Sequence, residues 1–417
     1  MDEPDLLAER RQSCPCKCTF DAGDADWSAV AKRACGGKID PNHWRRTRSG
    51  NFPALRTGPA RRCRCTNPGS TWIECATRDA SADTPHIGSK FERDGEGHCV
   101  ATAPAISVVM PVFNASRHLD DAVRSILAQT FTQFELIAVD DGSADDSLAI
   151  VRRLAALDGR VRVIELGRRG IVAALNRGIG ESSGAFIARM DSDDIARPDR
   201  LARQLSFLLA RPQIAAVGSA YDVIDDSGAI VKTIEPPTDP DQIAATLQRT
   251  NCVAHPTAMI RRSALGDVMP YRSAYRLAED YDLWLRLAER HGLANLPIVT
   301  VSYRRRFDAD RIGDLVQQSL SALAARAAAR LRASGQSDPT GTWEVVTREN
   351  AASLGVRPRD IAREVRRNAL ALARQAYAHG AQDAAARYVA VARDHAPRSE
   401  GPGAWLTYRW QRTKVRV

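Results

Sequence analysis

The chain has 417 residues, 44% of them hydrophobic, with a mean hydropathy of −0.32 and a formal charge of +9. That length suits two or three domains with a sizeable core. No apolar run reaches the ~20 residues of a membrane helix, and the first thirty residues lack the apolar segment of a secretory signal, so neither a membrane-spanning protein nor a secreted disulfide scaffold is expected.

Residues 1–103 stand apart. Eight of the nine cysteines precede residue 100, and only Cys252 lies beyond. Leu, Ile, Val, Phe and Met together supply 11 of the first 99 residues, too few to offset the entropy of ordering them, so a disordered extension is expected. Cys14-Pro-Cys16-Lys-Cys18 and Cys63-Arg-Cys65, with Cys35, Cys75, Cys99, His43 and His98, invite a zinc reading. Their one-residue spacing is not the two-to-four-residue spacing of structural zinc sites, so that reading carries little weight. The abrupt change in composition at Val100 also fits a start at a valine-type codon there, which would make residues 1–99 no part of the natural product.

From Ala105 the texture changes. Ile106–Phe113 reads as a strand buried on both faces. Asn114-Ala-Ser116 opens a helix patterned on Leu119, Ala122, Val123, Ile126 and Leu127. Glu135–Val139 is a second strand, ending in Asp140-Asp141-Gly142-Ser143, and a helix over about 145–157 follows. Val161–Leu166 is a third strand and Gly170–Gly180 a third helix. The apolar run Ala185–Met190 is a fourth strand, a helix covers about 197–210, and Ile214–Gly218 is a fifth strand. Strands alternating with helices at this spacing predict an α/β fold with a doubly wound, mainly parallel sheet.

The fourth strand runs into Asp191, Asp193 and Asp194. Carboxylates at the C-terminal end of a parallel strand sit at the crevice where open α/β sheets bind ligands. Mg²⁺ sites combine one or two carboxylates with substrate phosphates, so a metal–diphosphate site is one reading. The plainer one is that Asp191 or Asp194 caps the next helix.

Beyond Gly218 the alternation fades. Tyr221–Val231 reads as a hairpin around Asp225-Asp226-Ser227-Gly228, closed by Pro236-Pro237. Leu277–Leu287 is a helix opening on Glu279, Asp280 and Asp282, and Pro297–Tyr303 is a last strand followed by Arg304-Arg305-Arg306. Residues 307–417 are rich in Ala, Arg and Leu, with helices expected near 311–333, 358–379 and 381–395. The tail Ala404–Val417 carries four basic residues and no acid among its aromatics, which allows a weak contact with an anionic membrane surface, although a solvated tail is the heavier reading.

Taken together, residues of about 104–306 resemble the family 2 glycosyltransferases of the GT-A fold. The resemblance rests on an ordered set of motifs: Ser107-Val-Val-Met-Pro-Val-Phe-Asn114, Ser125-Ile-Leu-Ala-Gln-Thr-Phe131, Val139-Asp-Asp-Gly-Ser143, Ala173-Ala-Leu-Asn176-Arg-Gly178, Asp191-Ser-Asp193-Asp194 and Glu279-Asp280. It divides the chain into an extension at 1–103, a catalytic domain at 104–306 and a helical C-terminal region at 307–417.

The resemblance implies a role for each motif. Asp141 would accept hydrogen bonds from the donor's base, with Pro111, Phe113 and Asn114 as the wall of that pocket. Asn176 and Ser192 are placed with the donor-binding residues, and Arg169 precedes a helix whose N-terminal amides suit anionic oxygens. Asp193 would bind Mg²⁺ or Mn²⁺, Asp191 the ribose or the metal's shell, with Asp194 a secondary candidate. Asp280 would be the general base, with Glu279 beside it; the competing account makes Asp280 an acid favoured by the helix dipole. His255 would line the acceptor or phosphate side, though a lone His is more often structural.

The chemistry so implied is inverting transfer of a sugar from a UDP- or dTDP-type nucleotide-sugar to a hydroxyl on a saccharide, a lipid-linked saccharide or another acceptor, in cell-surface polysaccharide or glycoconjugate synthesis. No nucleic-acid partner is expected, and the expected location is cytoplasmic, with the inner membrane face as a peripheral alternative. The Gln-x-x-Arg-Trp motif of the processive synthases is missing, since Trp284 lies in Asp282-Leu-Trp-Leu-Arg, which favours single addition. The rivals are a catalytically inactive nucleotide-sugar-binding protein, which would be expected to lose Asp193 or Asp280, and a nucleotidyltransferase, which would need a glycine-rich loop after the first strand where Pro111–Asn114 has none.

Overall fold

The computed structural model describes residues 104–266, 270–305 and 309–396, with four strand segments nearer the N-terminus. Those four are β1 (Cys63–Arg64), β2 (Ile73–Glu74), β3 (Lys90–Arg93) and β4 (His98–Ala101). They form an antiparallel sheet in the order β1-β4-β3-β2, within a unit spanning Met1–Thr102. The disordered extension and the cysteine-rich zinc reading otherwise fall on residues and side chains outside the described ones.

The second unit, Ala103–Val417, is built on a nine-stranded sheet. In chain order its first half is β5 (Ile106–Val112), α1 (Leu119–Leu127), β6 (Phe134–Asp140), α2 (Ser147–Leu157), β7 (Val161–Glu165), α3 (Ile171–Gly180) and β8 (Phe186–Arg189). Then come β9 (Ile195–Ala196), α4 (Arg200–Leu209), β10 (Ile214–Ile224), β11 (Ile230–Ile234), α5 (Pro240–Leu247), β12 (Met259–Arg261), α6 (Arg262–Leu265), α7 (Glu279–Ala288) and β13 (Gly292–Arg304). The strand order is β7-β6-β5-β8-β12-β10-β13-β9, with β11 paired to β10. Strands β7, β6, β5 and β8 run parallel, β12 is antiparallel to both its neighbours, and β10 and β13 are parallel to each other.

Each face of β5 has its own cover, which explains why its sequence is apolar but for Ser107. Ile106, Val108, Met110 and Val112 pack with Leu119, Val123 and Ile126 of α1 and Leu201 and Leu205 of α4. Val109 packs on the other face with Leu175 and Ile179 of α3. Gly178 brings α3 that close: a Cβ there would lie 2.5 Å from Val109 Cγ1. Glu135 stitches the near end of the sheet, accepting from Ser107 Oγ (2.7 Å), Ser183 N (2.7 Å) and Arg162 Nη1 (2.7 Å). Burial pushes its pKa up, and these donors outweigh that and hold it at about 2.

The last strands are longer than their patterns suggest. β10 continues from Gly218 to Ile224 because β13 runs beside it to Arg304. Register passes from Ser219↔Leu296 to Ala220↔Val299, so Pro297 and Ile298 bulge out of the ladder. A proline has no N–H to donate, and at a bulge none is needed.

The C-terminal helices α8 (Ala309–Ala333), α9 (Arg348–Ser353), α10 (Pro358–Ala378) and α11 (Gln382–Asp394) complete the unit. Leu320, Ala324, Val346, Ala351 and Val365 share one apolar cluster with Tyr271, Tyr275 and Trp284, so α8–α10 buttress the region around α7. Among the described residues no helix is long and apolar enough to cross a membrane.

Candidate active site

Register places the C-terminal ends of β6, β5 and β8 in a row. Val112 is paired with Asp140, and Val109 with Arg189. β5 leads to β6 and β7 on one side while β8 lies on the other, so the crevice between β5 and β8 is the switch point at which open sheets bind ligands. Pro111, Phe113, Asn114, Asp141 and Asp191 all belong to this edge.

The β6 end is a knot of backbone amides and carboxylates. Asp141 Oδ1 accepts from Arg169 N (2.6 Å) and Oδ2 from Gly170 N (2.9 Å). Asp140 Oδ2 accepts from Gly142 N (3.1 Å), while its Oδ1 is buried with no hydrogen-bond partner among the described residues. Gly142 has φ +75°, and a Cβ there would meet the Arg168 amide nitrogen at 2.9 Å. Asn114, with φ +46°, accepts from Ala144 N through Oδ1 (2.8 Å), locking the β5 end to the same loop. Phe113 stays 37% exposed, and the Arg168 guanidinium lies 3.6 Å from its ring centre. At the start of α2 the N-cap residue Asp146 makes no side-chain cap, while Asp145 accepts from Ser147 N (3.0 Å).

Arg189, the last residue of β8, forms an ion pair with Asp191 just beyond the strand. The Arg189 side chain is 5% exposed and that of Asp191 25%. Burial works against the guanidinium charge, and Asp191 with its acidic neighbours outweighs it, so Arg189 stays protonated. Arg189 Nε and Nη1 are buried without hydrogen-bond partners among the described residues. Ser192 and Asp193 form the half-buried turn that follows. Asp194 points inward and is fully buried, its Oδ1 accepting from Arg304 N (2.7 Å). Burial, and then the charges of Asp191 and Asp193, push its pKa well up, so it braces the turn against β13.

Helix α7 brings the late acids to the same place. Its opening is strained: Leu277 has φ +66°, and with Asn114 it completes the non-glycine residues of positive φ among those described. Such strain clusters at functional sites. Glu279 is buried with Oε2 unpartnered; burial first and Asp280 second push it up to about 7. Asp280 is half-buried, accepting from Asn251 Nδ2 (2.8 Å) and Tyr281 N (2.7 Å), and burial raises its pKa above the usual carboxylate value. Arg189 pairs directly with Asp191, and its positive charge also reaches Asp194, Glu279, Asp280 and His255. The third acid, Asp282, faces away: fully buried, it is held by Arg272 and Arg286.

Two further sequence candidates have structural partners. Asn176 clasps the Tyr271 backbone, donating to its carbonyl (2.8 Å) and accepting from its N–H (3.1 Å). His255 Nε2 lies 2.7 Å from Tyr271 Oη, and burial and then Arg189 push its pKa well down, so the ring is neutral at physiological pH. Tyr271 thus ties α3 to the loop before β12. Arg189 and Asn251 were not singled out from the sequence.

A cation would meet hard oxygen donors here. Among the described residues no three acidic, His or Cys side chains form a ready-made cage. The part-exposed Asp191 and its neighbour Asp193 match a site in which one or two carboxylates share the ion with substrate phosphates.

Residues 107–269 match the protein family described as glycosyl transferase family 2. The chain is 35% identical over 185 residues to the O-antigen biosynthesis glycosyltransferase WbnJ of Escherichia coli, covering 44% of this chain and 71% of that one. It is 30% identical over 211 residues to an uncharacterized glycosyltransferase of Haemophilus influenzae, covering 48% of this chain and 65% of that one. Among solved structures it is similar to the mannosyltransferase PcManGT of Pyrobaculum calidifontis, at 19% identity and a TM-score of 0.44, over 72% of this chain and 88% of that one.

Proposed function

This chain belongs to glycosyltransferase family 2, and on that footing we propose that it is an inverting, divalent-cation-dependent, non-processive transferase. It moves a sugar from a UDP- or dTDP-type nucleotide-sugar to a hydroxyl on a saccharide or lipid-linked saccharide. Similarity to an O-antigen biosynthesis enzyme supports a place in cell-surface polysaccharide synthesis. The observation that carries the reading is the buried Arg189–Asp191 ion pair at the carboxyl edge of the sheet, with Glu279 and Asp280 within reach of the arginine's charge.

In this reading the nucleoside base lies against Phe113 and the Asp140–Asp141 loop, and the diphosphate lies by Asp191 and Asp193. Mg²⁺ or Mn²⁺, held by Asp193 with Asp191, would offset the charge that grows on the departing diphosphate. Asp280 takes the proton of the acceptor hydroxyl as that oxygen attacks the anomeric carbon from the face opposite the leaving group. Its raised pKa makes it a better proton acceptor than an exposed aspartate. A carboxylate has about four lone-pair sites, and two donors leave room for the incoming proton. Glu279, pushed up to about 7, is about half protonated at neutral pH, which reduces its repulsion of a charged Asp280.

Isothermal titration with UDP, with and without Mn²⁺, tests the binding half. Wild type is expected to bind UDP at least about tenfold more tightly with the ion, and Asp193→Ala to lose that gain while keeping its melting temperature. Equal affinity with and without Mn²⁺ in wild type would remove the cation from the scheme.

A further inference from the structure

We propose that Asn251 is a positioning residue for the proton-accepting carboxylate of Asp280, a role that rests on the reading of Asp280 as the general base. Asn251 lies between α5 and His255, in a loop tethered by Asn295 Nδ2 to the carbonyls of Pro237 (2.8 Å) and Cys252 (3.2 Å). Its amide has one sensible orientation. Oδ1 accepts from Val253 N (3.1 Å), which turns Nδ2 onto Asp280 Oδ2 at 2.8 Å. A flipped amide would set oxygen against carboxylate and NH₂ against N–H.

Asp280 Oδ1 is meanwhile fixed by Tyr281 N (2.7 Å). One donor on each oxygen sets the plane of the carboxylate, as a reaction that needs aligned orbitals requires. The charged and titratable groups that act on Asp280 are Arg189 from the end of β8, Tyr271 from the segment before α7, and Glu279 from its own helix. Asn251 is the neutral donor among them. It stabilises the ionised form, so removing it raises the pH at which Asp280 becomes competent.

The test is the pH profile of UDP or dTDP release with Mn²⁺, from whichever of UDP-glucose, UDP-galactose and dTDP-rhamnose turns over fastest in wild type. Asn251→Ala is expected to move the acid limb of kcat upward by about half to one pH unit and so to lower kcat about three- to tenfold on that limb. Above the limb most of the rate returns, and KM for the donor stays within about twofold. Asn251→Asp, nearly isosteric, puts a carboxylate against Asp280 and moves the limb further the same way; it carries the test if the alanine variant does not fold. An unmoved acid limb in the folded variants overturns the proposal. Asp280→Asn, run in parallel, separates the two claims: if it keeps wild-type turnover, the base assignment fails. If it is inactive while Asn251→Ala has the wild-type profile, the positioning role alone fails.

Discussion

Arg189, the last residue of β8, and Asp191, two residues beyond it, form an ion pair whose arginine side chain is only 5% exposed. A charge so enclosed stays because acids surround it. Removing one partner of a buried pair costs about 3–5 kcal/mol, and the quarter-exposed Asp191 lowers that figure, since water rehydrates it. Arg189→Met is therefore expected to lose about 2–3 kcal/mol of stability in urea denaturation. A loss below about 1 kcal/mol would mean that solvent already screens the pair.

Gly142 is the turn on which the proposed base pocket depends. An alanine there must hold φ +75° and press its methyl group to within 2.9 Å of the Arg168 amide. The segment it pushes carries the Arg169 and Gly170 amides that bind Asp141. Gly142→Ala is expected to weaken UDP binding by at least about tenfold and to cost about 1–3 kcal/mol of stability. Unchanged UDP affinity by calorimetry would detach this loop from the donor site.

Glu279 gives stability a pH signature. Its pKa rises from 4.5 in the unfolded chain to about 7 in the folded one, chiefly through burial. Between those values the folded state holds more protons than the unfolded state, so this group's contribution falls as pH rises, by at most about 1.4 kcal/mol per pH unit. Glu279→Gln removes that loss. The variant is expected to gain on wild type progressively from pH 4.5 to 7 in urea denaturation, and a constant difference across the window would contradict the burial of a titrating Glu279.

Asp282 belongs to the framework of the site. Fully buried between Arg272 and Arg286, it also reaches Asp338 and Arg332 through Arg272. Asp282→Asn leaves two part-buried guanidinium groups short of a counter-charge and is expected to cost about 3 kcal/mol or more, lowering the melting temperature while leaving donor KM near wild type. A normal melting temperature with a large rise in KM would instead place Asp282 in the site.

Much of this arrangement was legible in the chain because it repeats a pattern. β5 and β6 are mostly apolar since both their faces are covered, and carboxylates follow directly at the ends of β6 and β8. The helices at 309–333, 358–378 and 382–394 came through their Ala-, Arg- and Leu-rich composition. Other features leave no periodic mark. β9 has two residues and β12 three, too short to show alternation. Arg189 sits inside an apolar strand run and reads as an ordinary strand residue; only its pairing with Asp191 makes it a buried cation. Asn251 bonds to a residue 29 positions away, a relation no local motif encodes. The three acids of α7 look alike in sequence, yet Glu279 and Asp280 turn to the crevice and Asp282 to the Arg272–Arg286 clamp. Helix rotation and the neighbours of each side chain separate them.

The central claim is that Asp280 accepts a proton during transfer while the crevice around Asp191 holds the donor. Single-turnover transfer by Asp280→Asn, with UDP affinity measured on the same preparation, tests it most directly. The account predicts a rate lower by roughly 10²–10⁴-fold, the usual worth of a general base, with UDP affinity within about threefold of wild type. A rate within about tenfold of wild type would contradict it.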